Sequence, residues 1–164
     1  MSHSVTITRT TTTSTTSAII LNTGYLKTWP GILKLAELIL GIVVVGLVGY
    51  YFDRYMYYAN TPEVFFLLMA VTFLIGTFLL LTSCLISIST ASIISKTVHE
   101  VVYHGFAFIL YLAASLTFII EVNHRKQHYS RDYEPYTAAA IIGLVISCLY
   151  LLSTIFAQRS YKGL

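Results

Sequence analysis

Four apolar stretches, each long enough to cross a lipid bilayer, constrain this chain more than any other feature. They cover about residues 31–52, 64–88, 101–122 and 136–156. A bilayer core about 30 Å thick needs roughly 20 apolar residues per helix, and a helix satisfies its own backbone hydrogen bonds in lipid. Only 10% of the residues are charged, against roughly 25% in ordinary soluble domains. The sequence therefore predicts an all-α membrane protein, a four-transmembrane-helix antiparallel bundle.

Each apolar stretch begins with a helix-start signal. Pro30, Pro62 and Pro135 precede the first, second and fourth stretches, and proline is tolerated at the first helical position, where the missing N–H has no intrahelical partner. The third stretch follows Thr97 and Glu100, spaced as a capping box in which each side chain bonds an unpaired backbone N–H. No proline interrupts a predicted helix.

The remaining sequence divides into tails and short connectors. Residues 1–24 are rich in Thr and Ser and are predicted to be a disordered cytoplasmic tail. Residues 25–160 form the predicted transmembrane domain, and residues 161–164 form a short cytoplasmic C-terminus. The connectors between helices cover residues 53–61, 89–96 and 123–134, and short connectors favour antiparallel neighbours in an up-down-up-down order.

The distribution of charge predicts the orientation in the membrane. An even number of spans puts both termini on one side, and that side carries the larger share of the basic residues, six against four: Arg9, Lys27, Lys34, Lys96, Arg159 and Lys162 against Arg54, Arg125, Lys126 and Arg131. Basic residues accumulate on the cytoplasmic side of membrane proteins. We therefore expect both termini in the cytoplasm, in the plasma membrane or in endosomal and secretory vesicles.

Several classes of function find no support in the residues. The basic residues are scattered, whereas nucleic-acid binding needs a clustered basic face. His124 and His128 lie four residues apart, but no Cys or carboxylate at matched spacing completes a metal site. The sequence shows no catalytic constellation, so we expect no enzyme activity and no cofactor.

One set of polar residues falls at a common depth inside the predicted helices. Glu37 lies about six residues, or roughly 9 Å, inside the membrane, where a carboxylate normally faces a partner or the bundle interior. Ser83, His104 and Tyr150 lie at a similar depth on the same side, and Lys34 lies one helical turn before Glu37 on the same helix face. We expect Glu37 to pair with Lys34 or His104, or to accept a hydrogen bond from Ser83 or Tyr150. A structural polar layer is the favoured interpretation, and a proton or ion path is the alternative.

Two further patterns concern helix packing. In the second stretch a small and polar face is predicted: Thr72, Gly76, Ser83 and Ser87. In the fourth stretch Ala139, Gly143 and Ser147 form a ridge of small residues, which lets helix backbones approach closely. This ridge either packs inside the bundle, which we favour, or forms an outward docking face.

The residues at the start of the bundle resemble those of a known family. Tyr25 to Gly31 (YLKTWPG), followed by residues 33–37 (LKLAE), looks like the opening of a MARVEL domain, and is similar in particular to the CKLF-like MARVEL transmembrane proteins and plasmolipin. Residues 104–114 resemble the third helix of that group, and Tyr150 and Arg159 fit its ending. The resemblance implies a four-helix bundle with both ends cytoplasmic, and roles in membrane apposition, vesicle trafficking, sterol-rich domains and assembly with other membrane proteins.

Three functional hypotheses follow. The first is a non-enzymatic membrane organiser or adaptor whose partners are membrane lipids and other integral membrane proteins, with a homo-oligomer also open. The second is a small transporter or channel subunit, and the third is a junction or adhesion component, which the short outer connectors disfavour.

Overall fold

The computed structural model describes residues 22–54, 61–94, 96–124 and 133–163, apart from the side chains of residues 52–54. This part of the chain is helical and contains four helices long and apolar enough to cross a membrane, which confirms the predicted fold class. A short fifth helix joins two of them. In chain order the helices are α1 (Trp29–Arg54), α2 (Thr61–Ile86), α3 (Ile88–Ile94), α4 (Val98–His124) and α5 (Tyr133–Lys162).

The prolines lie where the sequence predicts them. Pro30 and Pro62 are the second residues of α1 and α2, and Pro135 is the third residue of α5. At these positions the missing N–H breaks no intrahelical hydrogen bond. Each spanning helix begins two or three residues before the predicted start, because the flanking polar turns are helical as well.

The capping box predicted at the start of α4 is wrong in its hydrogen bonds. The backbone N–H of Thr97 donates to the carbonyl of Ile94 at 3.0 Å, and the Thr97 hydroxyl donates to the same carbonyl at 2.7 Å. The Glu100 carboxylate accepts a hydrogen bond from Lys34 instead of turning back to Thr97. The helix still begins at Val98, but Glu100 is available for a contact across the bundle.

The connector predicted after the second stretch contains a helix of its own. The residue between α2 and α3 is Ser87, whose hydroxyl accepts a hydrogen bond from the Thr90 N–H at 3.2 Å. A side-chain oxygen that accepts from the third residue of a helix is an N-cap. The helix α2 therefore ends at Ile86, two residues before the predicted end at 88, and Ser87 caps the start of α3.

A short segment before α1 packs on the end of the bundle, and we call residues 22–28 the juxtamembrane strap. It contains a 3-10 helix at Thr23–Lys27. The backbone N–H of Asn22 donates to the carbonyl of Leu85, near the end of α2, at 2.7 Å. A Cβ atom added to Gly31 would lie 2.1 Å from the Tyr25 carbonyl oxygen. The strap is thus held against α1 and α2, while residues 1–21 of the predicted tail lie outside the described residues.

The four spanning helices form a ring in which α1 and α4 lie opposite each other, each between α2 and α5. Two contacts fix the directions. Lys34 near the start of α1 pairs with Glu100 near the start of α4, and Glu63 near the start of α2 accepts a hydrogen bond from Tyr136 near the start of α5. Because the starts of α1 and α4 share one end and those of α2 and α5 share the other, sequential spanning helices are antiparallel.

Aromatic rings fill the axis of this ring, and we call them the aromatic column. Successive ring centroids are 4.7 to 6.0 Å apart along the series His104, Tyr150, Tyr111, Phe66, Phe118 and Tyr136. Each ring is almost completely buried. Aromatic pairs in stacked or edge-to-face contact stabilise a packed interior beyond the area they bury. The column runs from the buried ionic end of the bundle to Tyr136 near the opposite end.

Candidate functional site

An ion pair between α1 and α4 forms the centre of the buried polar cluster. The Lys34 ammonium contacts the Glu100 carboxylate, and both side chains are almost fully buried. Lys34 Nζ also donates to the Tyr25 hydroxyl of the juxtamembrane strap at 3.0 Å. Burial raises the pKa of Tyr25 to about 12, although Lys34 nearby acts to lower it, so the phenol is neutral at physiological pH. The strap, α1 and α4 therefore meet at one cation.

Glu37 has a partner that the sequence analysis did not name. Its Oε1 atom accepts a hydrogen bond from the Ser153 hydroxyl of α5 at 2.6 Å, and the residue is 1% exposed. The sequence analysis expects Lys34, His104, Ser83 or Tyr150 as the partner of this carboxylate. None of these four residues forms a hydrogen bond with it. Ser153 lies one helical turn beyond Tyr150, on the same face of α5, and that spacing is the signal that could have found it.

His104 and Tyr150 are buried in the next layer of the bundle. The Tyr150 hydroxyl lies 2.8 Å from the Thr77 hydroxyl, which lies 3.0 Å from the hydroxyl of Tyr103. His104 Nε2 lies 3.8 Å from Glu100 Oε1, too far for a hydrogen bond. The layer is thus held by three hydroxyls from α2, α4 and α5 and by ring contact between His104 and Tyr150.

Ser83 does not belong to the polar layer, which corrects the sequence interpretation. It is exposed on the outside of the bundle, and its hydroxyl donates to the Leu79 carbonyl of its own helix at 2.8 Å. Thr72, on the same predicted face, is also exposed and donates to Leu68 in the same way. The residue of α2 that contributes a buried hydroxyl to this layer is Thr77. A serine or threonine can bond its own helix and needs no partner across the bundle. Residue type alone therefore could not show that Thr72 and Ser83 lie on the outside of α2.

A third buried carboxylate lies at the opposite end of the bundle. Glu63 of α2 is 2% exposed and accepts a hydrogen bond from the hydroxyl of Tyr136 on α5. Both residues lie within the first four residues of their helices, where tyrosine is common at the headgroup level of a membrane. Hydrogen-bonded carboxylates therefore join helices at both ends of the protein.

The small-residue ridge of α5 faces inward. Ala139 and Ser147 are fully buried. A Cβ atom added to Gly143 would lie 2.5 Å from Ser115 Oγ and 2.7 Å from Phe66 Cε2. The absence of a side chain at Gly143 thus leaves space for Ser115 of α4 and Phe66 of α2. The ridge packs inside the bundle and does not form an outward docking face.

A cavity of about 20 Å³ adjoins the ion pair and is lined in part by Lys34, Glu100 and Ser153. This volume accommodates about one water molecule, and it is too small for an organic substrate. Among the described residues no group of His, Cys, Asp or Glu side chains is arranged to hold a metal ion. His124 ends α4 and His128 lies outside the described residues.

Comparison with known proteins matches this sequence to one family. The family model for MARVEL, the membrane-associating domain, covers residues 25–156. The chain belongs to the MARVEL family. It is similar to MARVEL domain-containing protein 1 of Xenopus laevis, 25% identical over 152 residues that cover 88% of this chain and 83% of the relative. It is also similar to plasmolipin of Danio rerio, 28% identical over 153 residues that cover 85% of this chain and 76% of the relative. No solved structure matches the chain.

The family match adds one structural point. It begins at Tyr25, four residues before α1, so the part of the strap that holds the Lys34 contact lies within the MARVEL domain. The resemblance expected from residues 25–37 and 104–114 is confirmed. The four apolar helices together with the membrane-associating domain make this protein a multi-pass integral membrane protein.

Proposed function

We propose that this MARVEL protein is a non-enzymatic membrane organiser or adaptor that acts in membrane apposition, vesicle trafficking or the assembly of membrane-protein complexes. The aromatic column carries this proposal. Rings packed from His104 to Tyr136 fill the axis of the bundle, so the surfaces available to other molecules are the outer faces of the helices and the two ends.

The outer faces support the proposal because they are apolar on all four spanning helices. Large side chains between 45% and 60% exposed lie on each of them: Ile42 on α1, Phe78 on α2, Ile109 on α4 and Leu152 on α5. Faces of this kind contact lipid tails or the helices of other membrane proteins. The proposed partners are therefore membrane lipids, including sterol-rich domains, other integral membrane proteins, and further copies of this chain.

The transporter hypothesis is less well supported by the same interior. Buried ionisable groups lie near the two ends, at Lys34 and Glu100 and at Glu63. Between them the rings of Phe66 and Phe118 stack with centroids 4.7 Å apart. A proton or ion path needs hydrogen-bonding groups or water across that layer. We expect no proton flux above the lipid background in liposomes that contain the purified protein, and a flux proportional to protein content would favour the transporter.

The proposed location is the plasma membrane or endosomal and secretory vesicles, with both termini cytoplasmic. The larger number of basic residues at the end that carries the termini supports this orientation. A role in adhesion would need an outer surface. The connectors at the other end, between α1 and α2 and between α4 and α5, span residues 55–60 and 125–132, too few for an independent adhesive domain.

Site-specific photo-crosslinking in living cells tests the organiser proposal. A photoreactive amino acid is placed at one outward position per helix, namely Ile42, Phe78, Ile109 or Leu152, and at buried Ile146 as the matched control. We expect at least one outward position to capture the same integral membrane protein repeatedly, and the other faces to give lipid adducts. The buried control should crosslink only within the chain.

The result that would overturn the proposal is equally specific. Lipid adducts alone at all four outward positions, under conditions in which the protein is correctly localised, would overturn the adaptor role, in which a helix face engages a protein partner. Proximity labelling from the N-terminal tail in the same cells would then decide whether partners bind the tail or no partner is assembled at all.

A further inference from the structure

The exposed charged side chains at the end of the bundle that carries the termini are all basic. Within the described residues they are Lys27 in the strap, Lys96 before α4, and Arg159 and Lys162 in the last turns of α5. They come from three separate segments that meet at one end of the ring. We call these four residues the basic rim.

The carboxylates at this end do not neutralise the basic rim. Of the seven Asp and Glu residues in the chain, only Glu37 and Glu100 belong to this end. Both are buried, Glu37 against Ser153 and Glu100 against Lys34. The ion pair thus uses the buried lysine, and among the described residues at this end no exposed Asp or Glu side chain lies near the four exposed cations.

An aromatic side chain at the same end is positioned for the membrane interface. Trp29, the single tryptophan of the chain, is 68% exposed and stacks on Phe156 of α5 with ring centroids 6.5 Å apart. Arg159 follows Phe156 by three residues, so the two lie on the same face of α5. Tryptophan favours the headgroup level of a bilayer. The stack therefore places the basic rim at the depth of the lipid headgroups.

We propose that the basic rim binds anionic phospholipid headgroups and gathers these lipids around the end of the bundle that carries the termini. The chemistry is that of a lysine or arginine meeting a phosphate or carboxylate at the surface of a bilayer, where basic residues are attracted to anionic lipids. This deepens the proposed function, on which it rests, since it names the class of lipid that the organiser would gather.

The favourable position of Arg159 and Lys162 at a helix C-terminus does not account for the rim by itself. Cations near the end of a helix interact with its dipole, which explains two of the four residues. Lys27 is the last residue of the 3-10 helix and Lys96 follows α3, but both also precede a spanning helix, so the dipoles of the two neighbouring helices oppose each other at these positions. The presence of all four cations at the end that carries Trp29, where both carboxylates are buried, fits an anionic surface outside the protein.

Quenching of Trp29 fluorescence tests the proposal in a defined membrane. The full chain is reconstituted into phosphatidylcholine vesicles that contain a small, equal fraction of either brominated phosphatidylserine or brominated phosphatidylcholine, with the bromines near the headgroup end of the acyl chain. The same lipid is in both leaflets, so the direction of insertion does not matter. We expect stronger quenching by the brominated phosphatidylserine. Salt should reduce the difference, because the Debye length falls from about 30 Å at 0.01 M to about 10 Å at 0.1 M.

Two triple variants, both of which keep Trp29, separate the rim from general electrostatics. Replacement of Lys96, Arg159 and Lys162 by glutamine should remove the difference between the two quenchers. Replacement of Arg125, Lys126 and Arg131 by glutamine removes the same charge from the connector at the other end and should leave the difference intact. Thermal unfolding of both variants in detergent checks that the bundle is folded.

Equal quenching of the unmodified chain by the two brominated lipids at low salt would overturn the proposal. So would a loss of the difference in the connector variant as large as in the rim variant. Soluble inositol hexakisphosphate, added as a competitor, tests whether the rim prefers a free phosphate to a lipid headgroup. If it abolishes the difference only at concentrations that also disrupt the vesicles, lipid binding is still supported. The vesicles contain no partner protein, so this test can fail while helix-face crosslinking in cells succeeds, and the two proposals are judged separately.

Discussion

Lys34 and Glu100 form an ion pair across the diagonal of the bundle, 66 residues apart in sequence. Each lies less than two helical turns from the start of its helix, and both are almost fully buried. Breaking a buried ion pair leaves an uncompensated charge, whereas removing both charges avoids that penalty. The pair thus ties α1 to α4, and through Tyr25 it also holds the strap.

The first prediction is that Lys34 and Glu100 are strongly coupled. Lys34→Met and Glu100→Gln should each lower the free energy of unfolding by about 3–5 kcal/mol, because each leaves one buried charge alone. The double variant should lose much less than the sum. Thermal unfolding in detergent micelles measures all three, with Lys96→Met as a control that removes an exposed cation nearby. Additive losses would show that the two side chains act independently.

The second prediction concerns the carboxylate of Glu37. Glu37→Ala should lower thermal stability or surface delivery, and Glu37→Gln should be milder because the amide keeps hydrogen bonds. Ser153→Ala removes the hydroxyl donor at 2.6 Å and should cost about 1–3 kcal/mol. Ser83→Ala is the matched control, since its exposed hydroxyl bonds only its own helix. Wild-type behaviour of every Glu37 and Ser153 variant would mean that this hydrogen bond contributes nothing measurable.

The sequence predicts the four helices well because the length and hydropathy of the stretches are local properties. The inward faces of α1, α4 and α5 also follow from spacing. Glu37 and His104 are ionisable, so placing them against lipid would carry a penalty, and the small residues around Gly143 favour close packing of helices. For α2 the same reasoning chose Thr72 and Ser83, which are exposed.

The partners of the buried carboxylates could not be derived from the sequence in the same way. Glu100 fits a local capping box as well as it fits a pair with Lys34, and only the position of α1 across the ring decides between them. Ser153 is one of several hydroxyls on α5, and its contact with Glu37 depends on the relative rotation of α1 and α5. Such contacts belong to the packing of the helices and not to any one of them.

The third prediction concerns orientation. Tags at Ser2 and Leu164 should be protected from antibodies in intact cells, because the end that carries the termini has the larger number of basic residues. A tag inserted in the connector at residues 125–132 should be accessible from outside. The measurement is antibody labelling before and after permeabilisation. Surface labelling of either terminus in intact cells would contradict the assignment.

The fourth prediction is that the strap shields the end of α2. Cys84 is 1% exposed and precedes Leu85, whose carbonyl accepts the Asn22 hydrogen bond. In a Cys148→Ser background, Gly31→Ala should displace the strap, since the new Cβ would lie 2.1 Å from the Tyr25 carbonyl oxygen. We expect faster labelling of Cys84 by a hydrophilic maleimide. Gly24→Ala is the control within the strap, because its Cβ would meet Asn22 Oδ1 at an ordinary 3.6 Å, and equal labelling rates in the two variants would refute the shielding.

The last prediction uses two glycines in opposite surroundings. Gly143 faces the interior, and an added Cβ would lie 2.5 Å from Ser115 Oγ and 2.7 Å from Phe66 Cε2, whereas nothing lies within 4 Å of a Cβ added to Gly46. Gly143→Leu should therefore force α5 away from the aromatic column, and the smaller Gly143→Ala should cost about 1–3 kcal/mol through overpacking. We expect Gly143→Leu to be retained in the endoplasmic reticulum and Gly46→Leu to reach its normal compartment, as judged by surface biotinylation and by microscopy.

Two outcomes would contradict this prediction. Normal delivery of Gly143→Leu with unchanged thermal stability would mean that α5 can move outward freely. Retention of Gly46→Leu would mean that the outer face of α1 is packed against another protein during assembly.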